Sequence, residues 1–234
     1  MNSFDSKWEY TYRNSDGNHL NRYPYGQLVT YFFRNLKHID INKNTKILEL
    51  GCGVGNNLPL ILNEGIAGYG IDGSETVIEY AKERLKEYKS CELKVMDFLD
   101  IDYDDSFFDM VIDRQSIYAN LPKNIEKIYS EVNRIMKKDG IFLSFMYNTD
   151  DYHFKKLKYN SSYAEEIDTN TYTNFKGGTF EGNGTAHFFS KNEVEQLCER
   201  YNFEILLLVE NSIEQIVPTS QNMLSEYILV ARKC

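Results

Sequence analysis

Tryptophan, proline and positive charge are all scarce in this chain. Its 234 residues include one Trp and four Pro, and 35 acidic side chains face 26 basic ones, for a formal net charge of −9. That balance argues against a general nucleic-acid binder and against a protein resting on anionic lipid, since both need surplus Lys and Arg. Long apolar runs are missing too. The longest aliphatic stretch, Ile205–Val209, is far below the ~20 residues a membrane helix takes. Residues Met1 to Tyr10 are polar and carry two acids, so no secretory leader is expected. No two of the four cysteines lie closer than 36 positions, which excludes zinc-knuckle and Cys-x-x-Cys spacing. The expectation is a cytoplasmic protein with reduced thiols, no metal site, no internal repeat and no low-complexity tract.

Aromatic residues, by contrast, make up 14% of the chain and are unevenly spread. Residues 1–33 hold nine of them and residues 148–190 hold nine more. Two aromatic-rich segments therefore flank a stretch of ordinary composition.

From Lys46 onward, short apolar runs alternate with helical periods. Lys46–Gly51 reads as a buried strand, and Asn56–Glu64 as the next helix, with Pro59 tolerated in its first turn. Ile66–Ile71 is the second strand. Ser74 is an N-cap for a helix with Val77, Ile78, Ala81, Leu85 and Tyr88 on one face. Cys91–Met96 and Phe108–Asp113 are the third and fourth strands. Ile125, Ile128, Tyr129, Val132, Ile135 and Met136 mark another helix, stopped over Lys137–Gly140, and Ile141–Tyr147 is the fifth strand. This alternation predicts a parallel sheet covered by helices on both faces. Residues 148–189 break the pattern and, with Gly177-Gly178 and Gly182-Asn-Gly184, read as an irregular or hairpin-containing insertion. A helix resumes after Ser190. Glu204–Glu210 and Glu226–Arg232 are expected as an antiparallel pair, because too few residues join them for a helical crossover.

The chemistry begins at Glu49-Leu-Gly51-Cys-Gly53-Val-Gly55-Asn56. Glycines at a strand-to-helix turn let a ligand approach the backbone, and the helix start offers unpaired N–H groups. A dinucleotide fingerprint wants glycine at its first, third and sixth positions. Here the sixth is Asn56, and the third glycine falls one place early. Asp72 lies 21 residues past Gly51, where an acid accepts from ribose hydroxyls in either case. Asp97 closes the third strand between Met96 and Phe98, where it can accept from an exocyclic amine while apolar neighbours sandwich a base. Each feature alone has a plainer reading. The glycines make a tight turn, Asp97 a cap, and Gly177–Gly184 a hairpin turn without the Gly-Lys-Ser/Thr ending of a phosphate cradle. The acidic run Asp100–Asp105 reads as a solvated loop.

Together the motifs resemble the class I S-adenosylmethionine (SAM) dependent methyltransferase family of small-molecule type, over residues 45–147 and 190–232. Met136-Lys-Lys-Asp-Gly140 is similar to that family's Leu-Lys-Pro-Gly-Gly turn, with Asp139 in place of proline. The resemblance implies a Rossmann-like, doubly wound α/β fold. Its seven-stranded sheet would be mostly parallel in the order 3-2-1-4-5-7-6, with an antiparallel last strand and helices on both faces. It implies a single methyltransferase domain over 1–234, with 1–40 as an N-terminal helical cap and 148–189 as a substrate lid. SAM is the implied cofactor. Gly51, Gly53 and Gly55 would lie along its methionine part, Asp72 would hold the ribose, and Glu49, Gly73 and Ser74 are further cofactor-binding candidates. Asp97 and Phe98 would face the adenine, and Asp113 and Arg114 would border the methionine part and the methyl group. Tyr12, Arg22 and Tyr23 are the candidates to reach the cofactor from the N-terminal segment.

A sulfonium methyl is already activated, so such a protein chiefly holds the acceptor in line and excludes water. An acceptor that must lose a proton needs a base, for which His187 and Tyr118 lead, followed by His153 and Glu181. His187 has a second reading as a packed or capping histidine beside Phe188-Phe189. After the fourth strand runs Asp113-Arg-Gln-Ser-Ile-Tyr-Ala-Asn. That is no Asn-Pro-Pro-Tyr motif, which argues against amino-methylation of DNA bases or glutamine side chains. The expected acceptor is the oxygen or nitrogen of a small molecule, with no nucleic acid and no membrane as partner. Two other readings stay open, a nicotinamide-dependent oxidoreductase and a SAM-binding protein without catalysis. The two aromatic segments are expected to close over one shared site, mostly apolar with a few polar groups.

Overall fold

A computed structural model describes residues 3–14, 21–214 and 223–234. Two helices, α1 (Ser6–Asn14) and α2 (Gly26–Asn35), precede strand β1 (Lys46–Leu50). Then come α3 (Pro59–Leu62), β2 (Ala67–Asp72), α4 (Glu75–Leu85), β3 (Cys91–Val95), β4 (Phe108–Arg114), α5 (Pro122–Ile135) and β5 (Met136–Tyr147). The insertion holds α6 (Tyr152–Tyr159) and three short strands, β6 (Glu165–Asp168), β7 (Thr171–Thr173) and β8 (Ala186–His187). Helix α7 (Lys191–Arg200) leads to β9 (Phe203–Glu214) and β10 (Met223–Lys233).

Seven strands form the main sheet in the order β3-β2-β1-β4-β5-β10-β9, with β10 antiparallel to both neighbours and the rest parallel. The expected order and reversal are both present. Successive side chains of a strand point to opposite faces, and here both faces are apolar. Ile47, Met110, Ile112, Leu143 and Phe145 meet Leu28 and Phe32 of α2, Ile61 and Leu62 of α3, and Ile78 of α4. Leu48, Val111 and Phe142 meet Ile125, Ile128, Tyr129 and Val132 of α5, and Val194 and Leu197 of α7.

Several boundaries differ from the sequence-based expectation. The helix expected over Asn56–Glu64 is only Pro59–Leu62, because the Asn56 and Asn57 side chains are spent on β1 and the N-terminal segment rather than on a helix start. Met136, expected on the last helical turn, has extended backbone and begins β5. Helix α6 was not expected. Its N-cap is Asp151, whose carboxylate accepts from the His153 N–H at 2.8 Å. Ser190 does cap α7, in a reciprocal arrangement with Glu193.

Register decides where a site can form. Leu50 lies opposite both Ile71 and Asp113, so β1, β2 and β4 finish level and deliver Gly51, Asp72 and Asp113 to one edge. Asp113 turns the chain there. One of its oxygens accepts from the Ser116 N–H (2.9 Å), the Ser116 hydroxyl (2.6 Å) and the Ile117 N–H (3.1 Å), and the other from the Ser144 hydroxyl (2.7 Å). Removing this fully buried carboxylate orphans donors from two segments. Asp113→Ala should therefore cost on the order of 3 kcal/mol in a urea or guanidinium unfolding titration.

Candidate functional site

The β1–α3 turn is built around left-handed backbone. Gly51 and Gly53 have φ of +65° and +51°, which an L side chain adopts only with strain. A Cβ on Gly51 would overlap Ser116, whereas one on Gly53 would meet nothing within 4 Å, so Gly53 borders open space. Asp72 fastens this turn to the next one. Its carboxylate accepts from the Gly53 N–H at 3.0 Å and from the Ser74 N–H at 2.9 Å. Burial pushes its pKa up to about 6 against those bonds. Ser74 caps α4 and donates to Glu9 at 2.5 Å, while Thr76 donates to the same carboxylate at 2.6 Å. Helix α1 is thereby pinned to the start of α4.

Above this edge lies a cavity of about 300 Å³. Trp8, Tyr12 and Tyr25 wall it from the N-terminal segment, Arg114, Gln115 and Tyr118 from the end of β4, Tyr147 from β5, and Thr179 and Asn183 from the insertion. A narrower lobe of about 100 Å³ runs between Asp72-Gly73, Met96 and Phe98, and shares Trp8, Tyr12, Gly51 and Gln115 with the larger one. Both aromatic-rich segments thus reach one cleft. Several of their rings are packing nonetheless: Phe175, Phe180, Phe188 and Phe189 are buried, and Phe180 holds Tyr118 and Tyr147 edge-on at 5.9 and 4.9 Å.

Beside this cleft, buried side-chain atoms of Glu49, Arg114 and Asn120 make no hydrogen bond. Glu49 is 1% exposed; one of its oxygens accepts from Asn57 Nδ2 at 2.6 Å and Oε2 accepts from nothing. Burial is the main reason its carboxyl is pushed up to about 8, partly opposed by the Asn57 bond. Arg114 lies between the rings of Tyr25 and Phe145, at 4.6 and 5.2 Å, with Glu226 at 3.6 Å. Its Nε and Nη1 donate to nothing. Unsatisfied buried groups cost folding free energy, so the Arg114 donors that border the cleft are the ones a ligand entering it would satisfy.

The cleft brings together Tyr12, Gly51, Gly53, Asp72, Gly73, Phe98, Arg114 and Tyr118 from the sequence-based candidates. Glu49, Ser74 and Asp97 stand behind it; Gly55 is buried against Leu85 and Ala81 of α4. Three expectations need correcting. Arg22 and Tyr23 are exposed and absent from the cleft wall, where Asn21 and Tyr25 stand instead. Asp113 spends both oxygens on the protein interior. His187 is 1% exposed and bonded through both ring nitrogens, to Thr171 Oγ1 (2.8 Å) and Glu193 Oε1 (2.9 Å), so it is the packed histidine and is not brought to the cavity. Trp8, Asn57, Gln115 and Tyr147 were not singled out from sequence. Only Asn57 had a local signal, its place just after the glycine turn.

A family model described as a methyltransferase domain matches residues 41–202. The chain belongs to that family. Among curated proteins it is 28% identical over 153 residues to a phosphoethanolamine N-methyltransferase of Plasmodium falciparum, covering 60% of this chain and 57% of that protein. It is 25% identical over 198 residues to a sterol 24-C-methyltransferase of Candida albicans, covering 80% and 48%. The match therefore spans about half the length of these relatives. In fold it resembles the 1,6-didemethyltoxoflavin N1-methyltransferase of Burkholderia thailandensis, with a TM-score of 0.70, 13% identity and coverage of 97% and 86%.

The raised Glu49 pKa has a signed consequence for stability. The folded protein holds this proton up to about pH 8, whereas the unfolded chain releases it near the ordinary carboxylate range. Stability is lost as pH rises through that window, because the folded state binds the extra proton. Glu49→Gln mimics the protonated acid. Its melting temperature should match wild type near pH ~4.5 and exceed it increasingly towards pH ~8.5, measured without ligand.

Proposed function

We propose that this chain is a SAM-dependent methyltransferase acting on an oxygen or nitrogen of a small-molecule acceptor, as a cytoplasmic enzyme. The observation that carries the reading is the pair of unsatisfied buried groups beside the glycine turn. An α-amino-acid zwitterion offers a carboxylate for the Nε and Nη1 of Arg114, which lines the cleft, while Glu49, buried just behind the glycine turn with Oε2 unbonded, supplies an acidic group on the ammonium's side. The methionine part of SAM is such a zwitterion. Gly53, open to space, lets it lie against the backbone, and Asp72 stands one lobe further on, where a ribose would follow. These residues fit the group. The Burkholderia structure holds S-adenosylhomocysteine, which agrees with the reading.

SAM, when bound, supplies a methyl on a cationic sulfur that a correctly placed nucleophile can take. The chain's own work is then positioning and exclusion. Trp8, Tyr12, Tyr118 and Tyr147 surround the larger lobe with aromatic surface, which favours a cation and displaces water. Burial holds the Tyr118 and Tyr147 hydroxyls far above their ordinary pKa, so they stay protonated and can donate to an acceptor but not deprotonate it. Among the described residues, no carboxylate and no histidine lines that lobe. The arrangement therefore suits an acceptor that presents its nucleophile without needing a strong base from the protein, such as a free amine or an already ionised oxygen. Gln115, Thr179 and Asn183 supply neutral hydrogen-bonding groups to orient it.

A nicotinamide enzyme fits less well. At the sixth position of the motif the Asn56 side chain donates to the Tyr23 carbonyl and to Asn57, occupying space a fingerprint glycine would leave free.

Calorimetric titration should show S-adenosylhomocysteine binding and no NAD(H) binding. Asp72→Ala should weaken that binding by roughly 10- to 100-fold, the worth of a hydrogen bond to a charged group. Incubation with SAM and a pool of small metabolites should yield S-adenosylhomocysteine. Binding without any such product would leave a non-catalytic SAM-binding protein, and stabilisation by NAD(H) alone would overturn the proposal.

A further inference from the structure

At the far end of the narrow lobe, the groups expected to face a base already have a partner in the chain itself. The Ser3 N–H donates to both oxygens of Asp97, at 3.2 and 3.0 Å, and the Ser3 hydroxyl donates to the same carboxylate at 2.5 Å. The Ser3 oxygen in turn accepts from the Phe98 N–H at 3.1 Å. Ser3 is thus a donor to a carboxylate and an acceptor from the neighbouring backbone amide. The Watson–Crick edge of adenine offers that same adjacent pair, the N6 amino donor and the N1 acceptor. Beside it Phe4 is an aromatic ring against Gly73, where a Cβ would overlap the Phe4 ring. Polar edge and flat apolar body both have their counterparts in two consecutive residues.

We propose that Ser3-Phe4 is an internal occupant of the adenine subsite, a strap that the cofactor must displace to bind. This rests on the SAM reading above. The strap is tethered so that it can leave without unfolding the cap. Behind it, Asp5 accepts from the Lys7 N–H (2.9 Å) and the Trp8 N–H (3.0 Å) to start α1, and Glu9 fixes that helix to Ser74 and Thr76. Ser3 and Phe4 carry the contacts to Asp97, Phe98 and Gly73, and the anchors follow them. A tethered competitor lowers apparent affinity by the fraction of molecules in which the subsite is free. The strap also keeps the Asp97 carboxylate and the Phe98 N–H satisfied in the absence of cofactor.

The test uses the whole chain, with S-adenosylhomocysteine as the probe. Ser3→Gly removes the hydroxyl that engages Asp97 and Phe98, and Phe4→Ala removes the ring. Each variant should bind the probe more tightly than wild type, by about 3- to 30-fold, because the competitor has been weakened. Trp8 is the only tryptophan and lines both lobes, so its emission reports the strap directly. Without ligand, both variants should already show part of the emission change that the probe produces in wild type. Weaker or unchanged binding by both variants, meaning that the segment clasps the cofactor or ignores it, overturns the strap alone. Failure of the probe to bind any form of the protein takes down the SAM reading and the strap with it.

Discussion

The hydrogen bonds from the Gly53 and Ser74 amides to Asp72 tie together everything else at this edge of the sheet. They join the two strand-to-helix turns that flank the cleft, and they can form only because β1 and β2 end level in a parallel register. A shift of one residue in that register would move Asp72 to the other face and leave the glycine turn without its anchor. The same carboxylate orients Ser74, which caps α4 and receives Glu9 of α1. One acid on one strand end therefore sets the glycine loop, a helix start and the placement of the N-terminal cap.

What the protein gives up for this arrangement is legible in its unsatisfied atoms. A buried Glu49 with an unbonded oxygen and a half-buried Arg114 whose Nε and Nη1 make no hydrogen bond, with Glu226 only as near as 3.6 Å, are expensive in a folded chain without ligand. Neither can satisfy the other in full, since Asn57 and Glu226 stand at their sides. Packing alone would favour apolar residues at both places. A zwitterion bound in the cleft would satisfy Arg114 there, and the proton held by Glu49 up to about pH 8 lowers the cost of its burial meanwhile.

The sheet was legible because its signals are local: apolar runs of strand length, glycines at a turn, acids at strand ends, Ser74 and Ser190 as caps. Strand order came from family resemblance rather than from periodicity. The site was legible only as far as these same signals reach. Gly51, Gly53, Asp72 and Phe98 are marked by position relative to a strand. Trp8, Gln115, Tyr147 and Thr179 are not, because their presence in the cleft depends on tertiary placement of segments far apart in the chain. Arg22, Tyr23 and His187 failed for the same reason in reverse. Residue type suggested chemistry, but Tyr25 rather than Tyr23 lies over Arg114, and β7 and α7 supply His187 with two partners before any ligand could. Helix α6 escaped notice because Asp151, its cap, begins a run too short and too mixed to show a period.

The aromatic excess, finally, divides into two jobs that composition cannot separate. In the insertion, Phe175, Phe180 and Phe188 form a buried wedge that holds Tyr118 and Tyr147 from behind. In the N-terminal segment Phe4, Trp8, Tyr12 and Tyr25 line the cleft, with Trp8 stacked on Tyr12 at 5.8 Å. The insertion is fixed by apolar burial, as α2 is through Leu28 and Phe32, whereas residues 3–14 are tied down by polar anchors through Asp5 and Glu9. Polar anchors of that kind are weaker and exchange readily with solvent or ligand, while a buried wedge does not. Of the elements over the cleft, the stretch through α1 is therefore the side that can yield when a ligand enters.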